Sequence, residues 1–303
     1  MAETATRLLK RLRVSQPLNA VGTAVVRSTL RSFGCQSEFV IRHLHRVGRV
    51  RCKLPNGRTM VLWSRADDWV SNQVYWRGWA GYEPEGSRLF FALGTRAAVT
   101  FDIGAHVGYY ALLAGHANPR GTVFAFEPHP EVHQRLMYNV ALNRLTNVRC
   151  IPRALGAEAR TTTLYYEHSA GMLSGSSLTV KLKHDVPTLG SSSVTVVTGD
   201  EFVSVNGIQR IDLMKIDTET TEPQILRGLM ETLRRDRPII FCEVLPGGDT
   251  ESELEGLLAP LGYRYYMLTP SGAEPMVAIR PHPEYLNYLF VAGTVDLDGI
   301  GRF

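Results

Sequence analysis

From residue 97 onward the chain repeats one pattern, an apolar β-type run followed by a turn and a helix-type segment. AAVTFDIG leads into GYYALLAGHA, TVFAFEP into EVHQRLMYNVALNRL, IDLMKIDTE into TEPQILRGLMETL, and PIIFCEV into ESELEGLLAPL, with NVRCIPRAL as the third strand of the series. In the longest helical segment Val132, Leu136 and Val140 fall at i, i+4 and i+8, one apolar stripe. Strands alternating with helices specify an α/β fold with a doubly wound, Rossmann-like parallel sheet. TTTLYYE and SVTVVTGDEF read as a hairpin or paired edge strands inserted into the series. YRYYMLT and YLNYLFVA read as a terminal antiparallel β pair, a common variation on such a sheet.

The residues before this series are organised differently. Apolar spacing through Leu8, Leu9, Leu12, Leu18, Val21 and Val25 predicts one or two helices over 5–33. Two β-type runs over 48–63, joined by Pro55-Asn56-Gly57, predict a hairpin. The stretch 63–82 holds Trp63, Trp69, Tyr75, Trp76, Trp79 and Tyr82, which serve either as core or as a surface that stacks on a sugar. The expected division is an N-terminal extension of helices and hairpin over 1–80 and a catalytic domain over 81–303.

Composition narrows the function. With 44% hydrophobic residues and a net charge of +4, the chain is not of the disordered class. Residues 1–58 hold twelve basic and two acidic residues, a net +10, against 21 basic and 27 acidic in the remainder, a net −6. Such a basic head can meet nucleic acid, acidic lipid or the protein's own body. Its arginines and aromatics do not interleave as a recognisable nucleic-acid module, so no nucleic-acid partner is expected. No apolar run reaches 18 residues, so no spanning helix is expected, and the N-terminus lacks the apolar core of a signal peptide. Cys35, Cys52, Cys150 and Cys242 lack paired spacing, which argues against zinc or a disulfide framework and suits a reducing cytoplasm.

Ligands of open α/β sheets bind beyond the carboxyl ends of the strands. The first core strand ends in Asp102-Ile103-Gly104-Ala105-His106-Val107-Gly108-Tyr109, and the second in Glu127-Pro128-His129. The loop is not the closely spaced glycine pattern of a pyrophosphate site, and an acid at Asp102 would repel a phosphate. It suits a ligand bearing an ammonium and a ribose diol, the latter held by Glu127. S-adenosylmethionine has both. Further acids stand at later strand ends: Asp217 and Glu219, then Glu243. These can hold a divalent cation such as Mg²⁺ against a substrate hydroxyl, or one of them can serve as general base. His168 and His184, flanking a Ser/Gly-rich segment, are further candidates for the base.

In order, FDIGAHVGYYALLA, VFAFEPHPEVHQRLMYNVALNRLTNVRCIPRALG, Gly175-Ser176-Ser177-Leu178, VTVVTGDEF, IDLMKIDTETTEPQILRGL and PIIFCEV closely resemble the FkbM-type S-adenosylmethionine-dependent methyltransferases over roughly residues 80–293. The resemblance implies the class I methyltransferase fold and O-methylation of a sugar or of a hydroxyl on a glycosylated natural product. It implies cofactor contacts from Asp102, Gly104, Ala105, His106, Gly108, Tyr109, Glu127, Pro128 and His129, with Ala154 and Ser177 beside them. Tyr82-Glu83-Pro84 would close over the cofactor through Glu83. The catalytic group would be Asp217, Glu219, Glu243 and His168. The expected partner is a small-molecule acceptor, and a homo-oligomer is compatible with the sequence. One departure stands out: Thr220 occupies a position that is usually glycine in the family. Two alternatives stay open, a nucleic-acid methyltransferase working through the basic head and a cofactor-binding homologue without turnover.

Overall fold

The computed structural model describes residues 16–167, 176–177, 189–247 and 249–293. Its chain divides into two compact units that part between Tyr82 and Glu83. In the first unit, α1 (Gln16–Ser32) and α2 (Glu38–His43) precede the antiparallel hairpin of β1 (Val47–Lys53) and β2 (Thr59–Arg65). Gly57 takes φ 80° in the connecting turn, the backbone state that Asn-Gly predicts. The aromatic stretch contains a helix, α3 (Trp69–Arg77), capped by Asp68, whose carboxylate accepts the Ser71 N–H at 2.6 Å. Tyr75 and Trp76 are buried within this unit, and the Trp76 indole donates to the Leu44 carbonyl at 2.9 Å. Neither ring presents an open face for a sugar to stack on.

The second unit opens with α4 (Pro84–Gly94), which the sequence reading did not anticipate. Its apolar residues Leu89, Phe90, Phe91 and Leu93 are bunched along the chain and buried on more than one side, so they do not show a clean helical period. Then follow β3 (Val99–Ile103), α5 (Tyr109–Ala117), β4 (Thr122–Phe126), α6 (Pro130–Leu142), β5 (Val148–Ile151) and β6 (Ala154–Leu155). After β7 (Arg160–Glu167), β8 (Ser176–Ser177), β9 (Leu189–Val197) and α7 (Gly199–Val205) come β10 (Leu213–Ile216), α8 (Glu222–Arg227), α9 (Met230–Asp236), β11 (Ile239–Glu243) and α10 (Glu251–Leu258). The described chain closes with β12 (Tyr263–Thr269), β13 (Gly272–Met276) and β14 (Asn287–Ala292).

The main sheet runs β13-β12-β14-β11-β10-β3-β4-β5. From β5 to β11 the pairing is parallel, and β14, β12 and β13 are antiparallel. The chain moves outward from β3 through β4 to β5, then returns to place β10 on the other side of β3. That reversal opens a crevice at the carboxyl ends of β3 and β10. The inserted strands form a second sheet, β6-β9-β7-β8, with β7 and β9 antiparallel. Phe101, Phe124 and Phe126 of the main sheet pack edge-on around Phe202 of α7, and full burial of each ring contributes roughly 1.5–3 kcal/mol.

Several predicted boundaries shift for identifiable reasons. The run SVTVVTGDEF stops being a strand at Val197. Thr198 then accepts the Glu201 N–H at 3.2 Å, a Thr-x-x-Glu helix start. NVRCIPRAL splits at Pro152, and its last residues join the second sheet as β6. TEPQILRGLMETL is two helices that part at Gly228, whose carbonyl accepts the Asp200 N–H at 2.8 Å and which must be glycine, since an added Cβ would come within 2.0 Å of the Gly156 carbonyl. The four cysteines are free. Among the described residues no helix is long and apolar enough to cross a membrane.

Candidate active site at the switch point

The loop after β3 is held by the strands on either side. Gly104 and Ala105 donate their N–H groups to the Phe126 carbonyl at 3.1 and 2.9 Å. Gly104 has φ 82°, and a Cβ there would lie 1.9 Å from the Asp217 carbonyl oxygen. Glycine is required here because the neighbouring strand end presses on the loop. Gly108, at φ 91°, starts α5, and a Cβ would come 2.5 Å from Leu136 of α6. The loop is therefore a fixed seat.

Two buried carboxyls line this seat. Asp102 lies within β3, and its Oδ2 accepts no hydrogen bond. Burial pushes its pKa up to about 7, although Lys215 draws it down. Glu127 accepts the His106 N–H on Oε2 at 2.9 Å and the His129 N–H on Oε1 at 2.8 Å. Burial raises its pKa, and the charge of His106 and these backbone donors act against the rise. Each oxygen of Glu127 keeps a lone pair for a further donor. His129 is the N-cap of α6: its Nδ1 accepts the Glu131 N–H at 3.2 Å, and its ring lies 4.1 Å from that of Tyr166 on β7. A capping role for a histidine is not a pattern that the sequence announces.

The second half of the site is built around a lysine. Lys215 lies in β10 with 1% of its side chain exposed. Its Nζ stands 3.1 Å from Asp217 Oδ2, 3.0 Å from Asn287 Oδ1 and 4.0 Å from Glu83 Oε2, and 5.1 Å from the centroid of the Tyr110 ring. Tyr110 donates its hydroxyl to Glu83 Oε2 at 2.6 Å. Burial opposes the lysine's charge, but Asp217, Glu83 and Glu243 outweigh it, so the pKa is raised and the ammonium persists. Burial likewise pushes Asp217 up, yet Lys215 and the Glu243 hydrogen bond bring it below the usual range. Glu243, half-buried beside Asp217, is pushed up to about 10 by desolvation and by the Asp217 charge. The pair of carboxyls beside the ammonium thus divides its charge, Asp217 favouring the ionised form and Glu243 the protonated one.

The structure regroups the expected acids. Glu83, anticipated as a cofactor contact, stands with Asp217 and Glu243, their oxygens all within 4.8 Å of one another. Glu219, anticipated in that group, is exposed and outside it, at φ 55°, with its pKa raised by partial burial and by Asp217 and Glu222. Thr220 follows at φ 81°, so threonine adopts the backbone usual for glycine. Glu222 stabilises that turn: its Oε1 accepts the Thr218 and Thr220 N–H groups at 3.1 and 3.2 Å. Tyr109 is buried against α4, donating to Ser87 at 2.9 Å. Ala105 is buried and Pro128 half-buried in the loop region, and Ala154 pairs with Val196 in the second sheet. Ser177 pairs with Tyr165, next to the Tyr166 that meets His129. His168 and His184 lie outside the described residues. Lys215, Tyr110, Asn287 and Glu222 were not singled out as site residues. A lysine inside an otherwise apolar strand is the signal that could have found the first.

Residues 102–265 match the methyltransferase FkbM domain. Curated relatives include the hexuronic acid methyltransferase AglP of Haloferax volcanii, 27% identical over 54% of this chain and 62% of that protein. Another is the 31-O-demethyl-FK506 methyltransferase FkbM of Streptomyces tacrolimicus, 27% identical over 54% of this chain and 70% of that protein. The chain thus spans somewhat less than two thirds of the first of these. Among solved structures, the methyltransferase FkbM of Methylobacillus flagellatus is similar at 13% identity and a TM-score of 0.45, covering 74% of this chain and 54% of that one.

Proposed function

The chain belongs to the FkbM methyltransferase family, and from that premise we propose that it is an S-adenosylmethionine-dependent O-methyltransferase acting on a hydroxyl of a sugar or glycosylated small molecule. The observation that carries this reading is Asp217, paired with Lys215 at 3.1 Å, at a strand end whose backbone carbonyl packs against Gly104 of the loop. The names of the two relatives, one a hexuronic acid and one a 31-O-demethyl-FK506 methyltransferase, support the acceptor class. We assign catalysis to the chain from about residue 81 onward, acting in the cytoplasm.

The seat fits S-adenosylmethionine. Asp102 offers a buried carboxylate oxygen without a partner, and Glu127 offers two oxygens with spare lone pairs, a donor set for an ammonium and a diol and not for a phosphate. When bound, this group supplies a methyl on a positively charged sulfur. Asp217 accepts the hydrogen bond of the acceptor hydroxyl and takes its proton. A carboxylate of lowered pKa suffices for this, because an oxygen becomes strongly acidic as it is alkylated. Lys215 keeps Asp217 ionised, and Glu243 holds its orientation through the shared hydrogen bond. Lys215 is buried while the Asp217 side chain is 25% exposed, so the carboxylate is held from the protein side and open to an acceptor on the other. Thr220 retains the glycine-like backbone, so its presence does not dismantle the turn, which weighs against a homologue without turnover.

The acids do not fit Mg²⁺ as well as they fit Lys215. Lys215 already supplies a positive charge among these carboxyls, its Nζ 3.1 Å from Asp217 Oδ2 and 4.0 Å from Glu83 Oε2, in the space a divalent cation would have to share. No step is assigned to a metal. The test of the reading is Asp217→Asn. Turnover of a glycoside acceptor should fall on the order of 10²–10⁴-fold, while S-adenosylmethionine binding measured by calorimetry persists. Unchanged kcat in this variant would remove Asp217 from the reaction.

A further inference from the structure

The first unit contains a cleft of about 580 Å³ between α1, α3 and the residue preceding β1. Arg27, Ser28 and Arg31 of α1 line it, with Arg46 and Tyr75 opposite. Residues 27, 28 and 31 share one helix face, and Arg46 arrives from a separate segment. Among the described residues no carboxylate lines this cleft. Residues 16–82 carry ten Lys or Arg against three acids, a net +7.

The arginines are held in place. Arg27 and Arg46 stack on the single ring of Tyr75, their guanidinium carbons 4.7 and 5.6 Å from its centroid. Arg46 also donates to Thr23 Oγ1 at 3.0 Å. The wall they stand on is fixed by Asn19, which is fully buried: it donates to the His45 carbonyl at 2.9 Å and accepts the Val47 N–H at 2.7 Å. Burial and the like charge of Arg31 both press on Arg27 and lower its pKa. Three guanidiniums that line one cleft, with no carboxylate among its described lining residues, raise each other's electrostatic energy, and an anion between them lowers it. Stacking on Tyr75 fixes the planes of two of them. Preorganised guanidinium planes suit the tetrahedral oxygens of phosphate, which they can grip bidentately.

We propose that this cleft binds the phosphate or diphosphate group of a small molecule. Three arginines gathered in one cleft, two of them fixed on a single ring, match a compact anion better than the extended phosphate rows of a duplex or a membrane surface. The proposal does not rest on the methyltransferase reading, because every residue in it belongs to the first unit.

Calorimetry on the full chain, titrated with inorganic pyrophosphate and then inorganic phosphate, tests it. Pyrophosphate should bind saturably at one site, and more weakly as salt is raised. Arg46→Gln and Arg31→Gln should each weaken it about tenfold or more, the effect of losing one charge-assisted contact. Arg31 is exposed and its replacement leaves the buried clamp intact, so it carries the test should Arg46→Gln fail to fold. Arg210→Gln, an exposed residue of the second unit paired with Asp212, should bind like the wild type. The proposal is overturned if pyrophosphate does not saturate by millimolar concentration, or if the two cleft variants bind as the wild type does. Binding to anionic vesicles or to RNA that pyrophosphate fails to displace would equally overturn it, and would turn attention to the basic surface as a whole.

Discussion

Replacing Glu243 by glutamine should stabilise the protein at neutral pH, and the size of the effect follows from the acid cluster. Glu243 carries a raised pKa because it is half-buried beside an ionised Asp217. A carboxyl whose folded pKa is raised favours the fold below its unfolded value of 4.5, and that contribution is lost as pH climbs toward about 10. At pH 7 the folded protein still holds the proton that the unfolded chain has released. Keeping it costs about 3 kcal/mol, from ~1.4 kcal/mol for each of roughly 2.5 pH units. Glutamine donates an N–H to Asp217 where the acid donated its O–H, and it has no proton to retain. Glu243→Gln should therefore gain about 3 kcal/mol at pH 7 and close to nothing at pH 4.5, the difference growing by ~1.4 kcal/mol per pH unit. For a chain of this size that corresponds to a rise of about 6 °C in Tm at pH 7. Thermal unfolding followed by circular dichroism for both proteins from pH 4.5 to 8.5 measures it, and the difference cancels the titrating groups outside the cluster. Parallel curves across that range would mean that Glu243 is ionised in the fold and that the proton assignment in the cluster is wrong.

Other consequences are more direct. Asp102, raised to about 7 by burial, must lose its proton to receive an ammonium, so S-adenosylmethionine affinity should rise by up to about tenfold per unit between pH 6 and 7. Calorimetry across that range should find the slope flattened in Asp102→Asn. Thr220→Gly should remove strain of about 1–2 kcal/mol at φ 81°, partly offset by added chain entropy, for a net gain of up to about 1 kcal/mol in urea denaturation. A loss of stability there would show that the threonine side chain contributes contacts that compensate its backbone. Turnover should be unchanged by EDTA, because Lys215 supplies the charge that a metal would bring; abolition by EDTA and rescue by Mg²⁺ would return the acids to metal binding.

Much of the scaffold can be read along the chain. The βα series, the hairpin at Pro55-Asn56-Gly57 and the acids ending β3, β4, β10 and β11 depend on local propensity and on residues adjacent in sequence. So does the reading of the Gly104–Gly108 loop as something other than a pyrophosphate site. Other features depend on distant contacts. Residue 228 has to be glycine because the Gly156 carbonyl leaves no room for a Cβ, and the Gly228 carbonyl accepts the Asp200 N–H at 2.8 Å. Neither partner is near residue 228 in sequence.

The sequence by itself determined which carboxyls sit at strand ends, because chain order and the period of the elements fix that. It did not determine their charge. That Glu83 and not Glu219 joins Asp217 and Glu243 follows from the seating of α4 and from the turn at residues 219–220, which sends Glu219 outward. That Lys215 is their common cation follows from three strands and a helix meeting around one buried ammonium. Protonation in such a cluster depends on burial and on distances of a few ångströms between groups far apart in sequence, and only the tertiary structure sets those.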